Sequence, residues 1–120
     1  MARRMRARKL TESQVTRQIC DFLRAHGWRV CRQQSGLFAT TDGRRIRIGE
    51  RGAADWWAVR AFGDDGRAEF FFLEVKGTGR APSDRQRSWI NDANRDGLEA
   101  EWFDSFERFE GWYFERYDVS

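Results

Sequence analysis

The sequence predicts an α/β fold, a mixed β-sheet flanked by α-helices. Two helix signals, each opened by a capping box, bracket a pair of β-rich segments joined by a Gly-Asp-Asp-Gly turn, and a further short strand follows the second helix. That order of helix, strands, helix and strand suits helices packed over a sheet. At 120 residues, 40% hydrophobic and 15% aromatic, the chain has material for one core. The expected organisation is a basic, flexible N-terminal arm over 1–10 and one domain over 11–120.

The first helix is expected to begin at Thr11, which has capping-box spacing to Gln14. Val15, Ile19, Phe22 and Leu23 follow at helical intervals, and Gly27 is the stop. Trp28 to Gln33 reads as a strand ending at Ser35-Gly36, and Arg44 to Ile48 as another short strand. Ala54 to Phe62 and Ala68 to Lys76 form the central hairpin around Gly63-Asp64-Asp65-Gly66. With the turn centred between Asp64 and Asp65, Asp55 falls opposite Glu74, and such neighbours have Cβ atoms about 5 Å apart. Phe70, Phe72, Glu74 and Lys76 then share one face of their strand, and Phe71, Leu73 and Val75 the other. Apolar residues on both faces make this strand central. Pro82 and Ser83 open the second helix, Ser83 pairs with Gln86 in a second capping box, and Trp89, Ile90 and Ala93 form its inner stripe. Gly97 ends it and Ala100 to Phe103 is a last strand. The segment Phe106 to Tyr117 mixes aromatics with acids and reads either as a short helix and strand or as a partner surface.

Charge bounds the function classes. The formal net charge of +3 mildly favours an anionic partner. Arg3, Arg4, Arg6, Arg8 and Lys9 lie together without an acid, either as an arm along phosphates or as a solvated terminus. No apolar stretch approaches the ~20 residues of a membrane span, and no secretory signal opens the chain, so a cytoplasmic protein of a bacterial or phage-infected cell is expected. Cys20 and Cys31 lack metal-ligand spacing and read as core residues. A lone histidine, His26, argues against zinc clusters and histidine-based nucleophilic catalysis. Of 22 basic residues only Lys9 and Lys76 are lysine. Lysine offers a compact ammonium whose pKa falls on burial, which arginine does not, so its retention mid-strand draws attention to Lys76.

Gly52-Ala53-Ala54-Asp55, then Phe72-Leu73-Glu74-Val75-Lys76-Gly77, then Gln86, resemble the PD-(D/E)xK, or restriction-endonuclease-like, nuclease superfamily, and more narrowly its VRR-NUC branch, found in phage and repair proteins. The resemblance runs from about Glu12 to about Phe103. It departs at Ala54, where the superfamily pattern has proline, and at the bulky Trp56-Trp57, of which one is expected in the core and the other there too, stacked on a base or filling an interface.

The resemblance implies hydrolysis of DNA phosphodiester bonds with Mg²⁺ or Mn²⁺, on branched or nicked DNA as in Holliday-junction resolvases, with flaps and single strands as alternatives. Asp55, Glu74 and the carbonyl of Val75 would hold the metal, with Glu12 of the first helix approaching it. Lys76 would position the attacking water or stabilise transition-state charge, and Gln86 would lie near the phosphate or the lysine. Arg32, Ser35 and Gly36 would approach the DNA backbone, and Thr78, Arg80, Arg85 and Arg87 would contact phosphates. Each residue has a plainer competing role. Asp55 would cap a turn, Glu74 and Lys76 would be an edge ion pair, and Glu12 would serve the helix dipole. Gln86 would only close its capping box, Ser35 and Gly36 would end a strand, and the arginines would be solvated. A domain this small suggests a homodimer around a duplex. The alternative function is a non-cleaving nucleic-acid-binding module on the same fold; a phosphodiesterase acting on a small nucleotide is a third reading, weakened by the lack of a phosphate-cradling glycine loop.

Overall fold

The computed structural model describes residues 8–33, 36–39, 41–48, 50–62 and 67–118. Its elements run α1 (Glu12–Ala25), β1 (Arg29–Arg32), β2 (Gly36–Ala39), β3 (Arg45–Ile48), β4 (Trp56–Phe62), β5 (Arg67–Val75), α2 (Asp84–Arg95), β6 (Ala100–Phe103) and α3 (Phe106–Arg116). Strands β1, β4, β5 and β6 make a four-stranded mixed sheet in that order, antiparallel except for the parallel pair β5 and β6. Helix α2 carries the chain from β5 to β6, as a parallel pair requires.

Both capping boxes form. Thr11 Oγ1 accepts the amide of Gln14 at 3.2 Å while Gln14 Oε1 accepts that of Thr11 at 2.9 Å. Ser83 and Gln86 repeat the arrangement at 3.2 and 2.9 Å. These bonds satisfy amides that helix geometry leaves without partners. Glycine 27, at φ 86°, turns the chain out of α1 into β1.

The hairpin has the expected register. Trp56 pairs with Leu73 and Phe62 with Arg67, so extending the ladder by one pair brings Asp55 opposite Glu74. The connecting residues 63–66 lie outside the described residues. Strand β5 is central and covered on both faces. Phe71, Leu73 and Val75 join Val15, Ile19 and Leu23 of α1 and Phe109 and Tyr113 of α3 in the main core. On the other face Phe72 packs with Ile90, Ala93 and Ala100. Truncating Phe71, fully buried in the main core, would cost about 3–5 kcal/mol.

Three expectations change. Gly36 does not end a strand: it opens β2, which pairs antiparallel with β3 in a separate two-stranded sheet. A four-residue strand carries too little period-2 pattern to stand out. Phe106–Arg116 is one helix, with Phe109 and Tyr113 buried and no strand after it among the described residues. Trp56 and Trp57 are both half-buried on opposite faces: Trp56 packs against the main core, and Trp57 stacks on Phe70 with centroids 5.7 Å apart. Cys20 is buried and Cys31 half-buried, and both are free thiols. No described helix is long and apolar enough to cross a membrane.

At the far end of the hairpin, Arg60 ties α3 to the sheet. Its guanidinium donates to Glu69 Oε1 at 2.8 Å, Asp118 Oδ1 at 3.0 Å and the carbonyl of His26 at 3.1 Å, and lies 4.6 Å from the Trp28 ring centroid. Tyr113 accepts from Trp28 Nε1 at 2.9 Å and donates to Asp118.

Candidate active site

The site forms where the hairpin ladder ends. Alternation along β5 turns Glu74 away from the main core toward α2, and only 1% of the residue is exposed. A carboxylate so buried needs partners. Glu74 Oε2 accepts the backbone N–H of Asp55 at 3.0 Å, and Oε1 accepts Gln86 Nε2 at 3.2 Å. The ammonium of Lys76 stands 3.4 Å from the same Oε1. Burial and then the neighbouring charge of Asp55 push the Glu74 carboxyl up to about 7, against the opposing pull of the Asp55 amide and Lys76. A smaller side-chain interaction with Asp55 acts on Glu74 in the same direction as burial.

Asp55 is half-buried and lies just before β4, anchored through its carbonyl by the amide of Gln33 at 2.7 Å. Lys76 lies just beyond β5, its amide bonded to the carbonyl of Phe103 at 2.8 Å and its side chain 19% exposed. The lysine therefore reaches solvent from a rigid backbone. Gln86 fills both roles open to it: Oε1 closes the α2 capping box while Nε2 holds Glu74. The cap fixes the amide so that its donor points at the carboxylate.

The start of α1 is drawn to the same corner. Thr78 donates its amide to the carbonyl of Leu10 at 3.0 Å and accepts the Leu10 amide on Oγ1 at 2.9 Å. Gly77 lets the chains close: a Cβ there would lie 3.2 Å from both the nitrogen of Glu12 and the carbonyl oxygen of Leu10. Glu12 is exposed although it lies only about 20° round the helix from Ile19, because it opens α1 one turn before the buried stripe begins at Val15. It nonetheless lines a cavity of about 260 Å³ together with Asp55, Arg32, Arg17, Arg24 and Trp56. It also lines a second cavity of about 590 Å³ with Lys9, Thr78 and Arg80.

The remaining expected site residues are dispersed. Arg32 is exposed and 5.9 Å from the Trp56 ring centroid. Arg85 packs its stem on Gly52, where a Cβ would come within 2.8 Å of it. Arg87 lies 5.8 Å from the ring centroid of Trp102, which pairs with Glu74 across β5 and β6. Thr78 is occupied with Leu10. The Val75 side chain is buried in the core. Ser35 lies outside the described residues. Among the described residues, no three of His, Cys, Asp and Glu gather as a metal-holding group; Asp55 and Glu74 meet as a pair. Arg17, Arg24 and Trp56 were not marked as site residues by the sequence, although Arg17 and Arg24, seven residues apart, share one helix face.

No family model, curated protein or solved structure matches the chain.

Proposed function

We propose that the protein is a metal-dependent endonuclease that hydrolyses DNA phosphodiester bonds, a restriction-endonuclease-like enzyme of the VRR-NUC type acting as a homodimer on branched or nicked DNA. The observation that carries this reading is the buried Glu74 carboxylate, held between Gln86 and Lys76 and facing Asp55. Burial and the charge of Asp55 both oppose ionisation of Glu74, and a divalent cation between the two carboxyls would offset both. The donor set fits Mg²⁺ or Mn²⁺, because such ions take one or two carboxylates and keep several waters. Asp55 and Glu74 would hold the ion, with the Val75 carbonyl as a further oxygen; Glu12 does not gather with the two carboxyls. When bound, it supplies charge neutralisation at the phosphate and makes water more acidic.

The chain's own groups do the rest. Gln86 keeps Glu74 in one orientation, so the carboxylate oxygens stay aimed at Asp55. Lys76 presents a positive charge at the mouth of the site, where charge builds on the phosphoryl oxygens in the transition state. Burial of Glu74 excludes water from behind the site and strengthens these interactions.

The test is cleavage of supercoiled plasmid, four-way junction, flap, duplex and single strand in Mg²⁺, Mn²⁺ or chelator, comparing wild type with Lys76→Ala and Asp55→Asn. Metal-dependent cutting that disappears in both variants is expected. Cutting that survives both substitutions would overturn the assignment. The second reading, a non-cleaving nucleic-acid-binding module, is favoured by the arginine lining of the cavity beside Asp55, and it predicts binding in chelator with no cutting under any condition.

A further inference from the structure

Arginine is abundant in this chain, and most of the arginines with described ionic partners are spent on acids. Arg60 pairs with Glu69, Arg95 with Asp92, Arg108 with Asp104 and Arg116 with Glu99. Arg17, Arg24 and Arg32, like several other exposed arginines, pair with no carboxylate among the described residues; what sets them apart is their place. The cavity of about 260 Å³ beside Asp55 brings the three together. Arg17 and Arg24, seven residues apart, lie on one face of α1 about 10 Å apart at the helical rise, and Glu12 lines the same cavity from the start of the helix. Arg32 and Trp56, paired across β1 and β4, face them. Charge along this groove is ordered: the acids Glu12 and Asp55 stand at the site end, and Arg17 and Arg24 continue away from it.

We propose that this groove binds an unpaired strand of nucleic acid adjoining the cleavage site. The inference rests on the nuclease reading and narrows its substrate to DNA that offers a single-stranded segment. Unpaired guanidinium groups are ready phosphate ligands. Trp56, half-buried beneath Arg32 at 5.9 Å, offers a fixed aromatic surface for a base. A basic track with an interleaved aromatic is the arrangement by which proteins hold single strands without reading sequence. The cavity has room for about one nucleoside, and a duplex neither enters it nor exposes a base face to Trp56.

The test is binding of a short fluorescein-labelled oligodeoxynucleotide, single-stranded or as a blunt duplex, in chelator so that cleavage plays no part. Arg17→Ala/Arg24→Ala should weaken strand binding by about tenfold or more. It should also flatten the salt dependence by about 1.4 in log–log slope, since each phosphate that an arginine ceases to neutralise removes about 0.7. Duplex binding should stay within about twofold. The Arg17→Lys/Arg24→Lys pair should recover most of the strand affinity. Arg95→Ala/Arg108→Ala, which removes the same charge elsewhere, should not reproduce the weakening. Thermal unfolding establishes that each variant folds. Equal weakening for strand and duplex, an equal weakening in the Arg95/Arg108 control, or strand binding unchanged in Arg17→Ala/Arg24→Ala would each overturn the groove. Wild type that grips the strand through these arginines yet never cuts in Mg²⁺ or Mn²⁺ would overturn the nuclease reading instead and leave the groove standing.

Discussion

Replacing Glu74 with glutamine should abolish the pH dependence that this one carboxyl imposes on stability. The Glu74 carboxyl rises from 4.5 to about 7 in the folded protein, chiefly through burial and then through Asp55. A raised acid contributes stability that is fully present below pH 4.5, falls as pH climbs toward 7 and is absent above it. At about 1.4 kcal/mol per pKa unit the loss is at most about 3 kcal/mol, a large part of a small domain's stability. Glutamine has the shape of the protonated acid and does not ionise. The assay is urea unfolding in chelator at pH 4.5 to 8, followed by the fluorescence of the six tryptophans. The wild-type stability should fall across that range relative to Glu74→Gln by about 3 kcal/mol, whatever constant offset the altered hydrogen bonds produce. At pH 8, Mn²⁺ or Mg²⁺ should return stability to wild type, by about 2.7 kcal/mol at a hundredfold excess over Kd, and not to the variant. Parallel pH curves for the two proteins would refute the account of Glu74 as a buried, charge-strained carboxylate.

Other perturbations test the surroundings. Gly77→Ala puts a methyl 3.2 Å from the α1 backbone and should cost about 1–3 kcal/mol, with a loss of metal-dependent cutting that exceeds the loss of fold at a temperature where both proteins remain folded. Tyr113→Phe leaves the indole N–H of Trp28 without its buried acceptor and should lower stability by about 1–3 kcal/mol in denaturant unfolding. Arg60 and then Tyr113 hold the Asp118 carboxyl below its ordinary value, so its contribution is present at neutral pH and lost as the solution is acidified; Asp118→Asn should flatten that acid limb of the stability profile. Gln86→Ala should reduce cutting while sparing nucleic-acid affinity in chelator, because it orients Glu74; equal effects on both would show that it contacts the strand instead.

The parts of the fold legible in the sequence were those specified locally. Thr11 with Gln14 and Ser83 with Gln86 mark helix starts within four residues, and the structure uses both. The hairpin register followed from a turn and a period-two pattern, which is why Asp55 and Glu74 could be set opposite one another. Strand β2 was hidden because four residues ending in small side chains carry little pattern. Helix α3 was ambiguous because acids interrupt its aromatics, although Phe106, Phe109, Tyr113 and Tyr117 keep helical spacing. Arg60, Arg17 and Arg24 look alike in a chain rich in arginine. Only tertiary closure makes the first a clamp and leaves the other two beside a cavity.

The double hydrogen bond between Leu10 and Thr78 has a practical corollary for handling the molecule. Any chain that precedes Leu10 leaves the domain within two residues of Lys76, at the rim of the cavity lined by Lys9 and Arg80. Tyr117, by contrast, packs on Trp28 and Phe71, and Asp118 binds Arg60, which pairs with Glu69 about 17 Å along β5 from Glu74. A dye or surface tether attached at Lys9 would crowd the mouth of the site, and the same appendage attached beside Asp118 would stand clear of it.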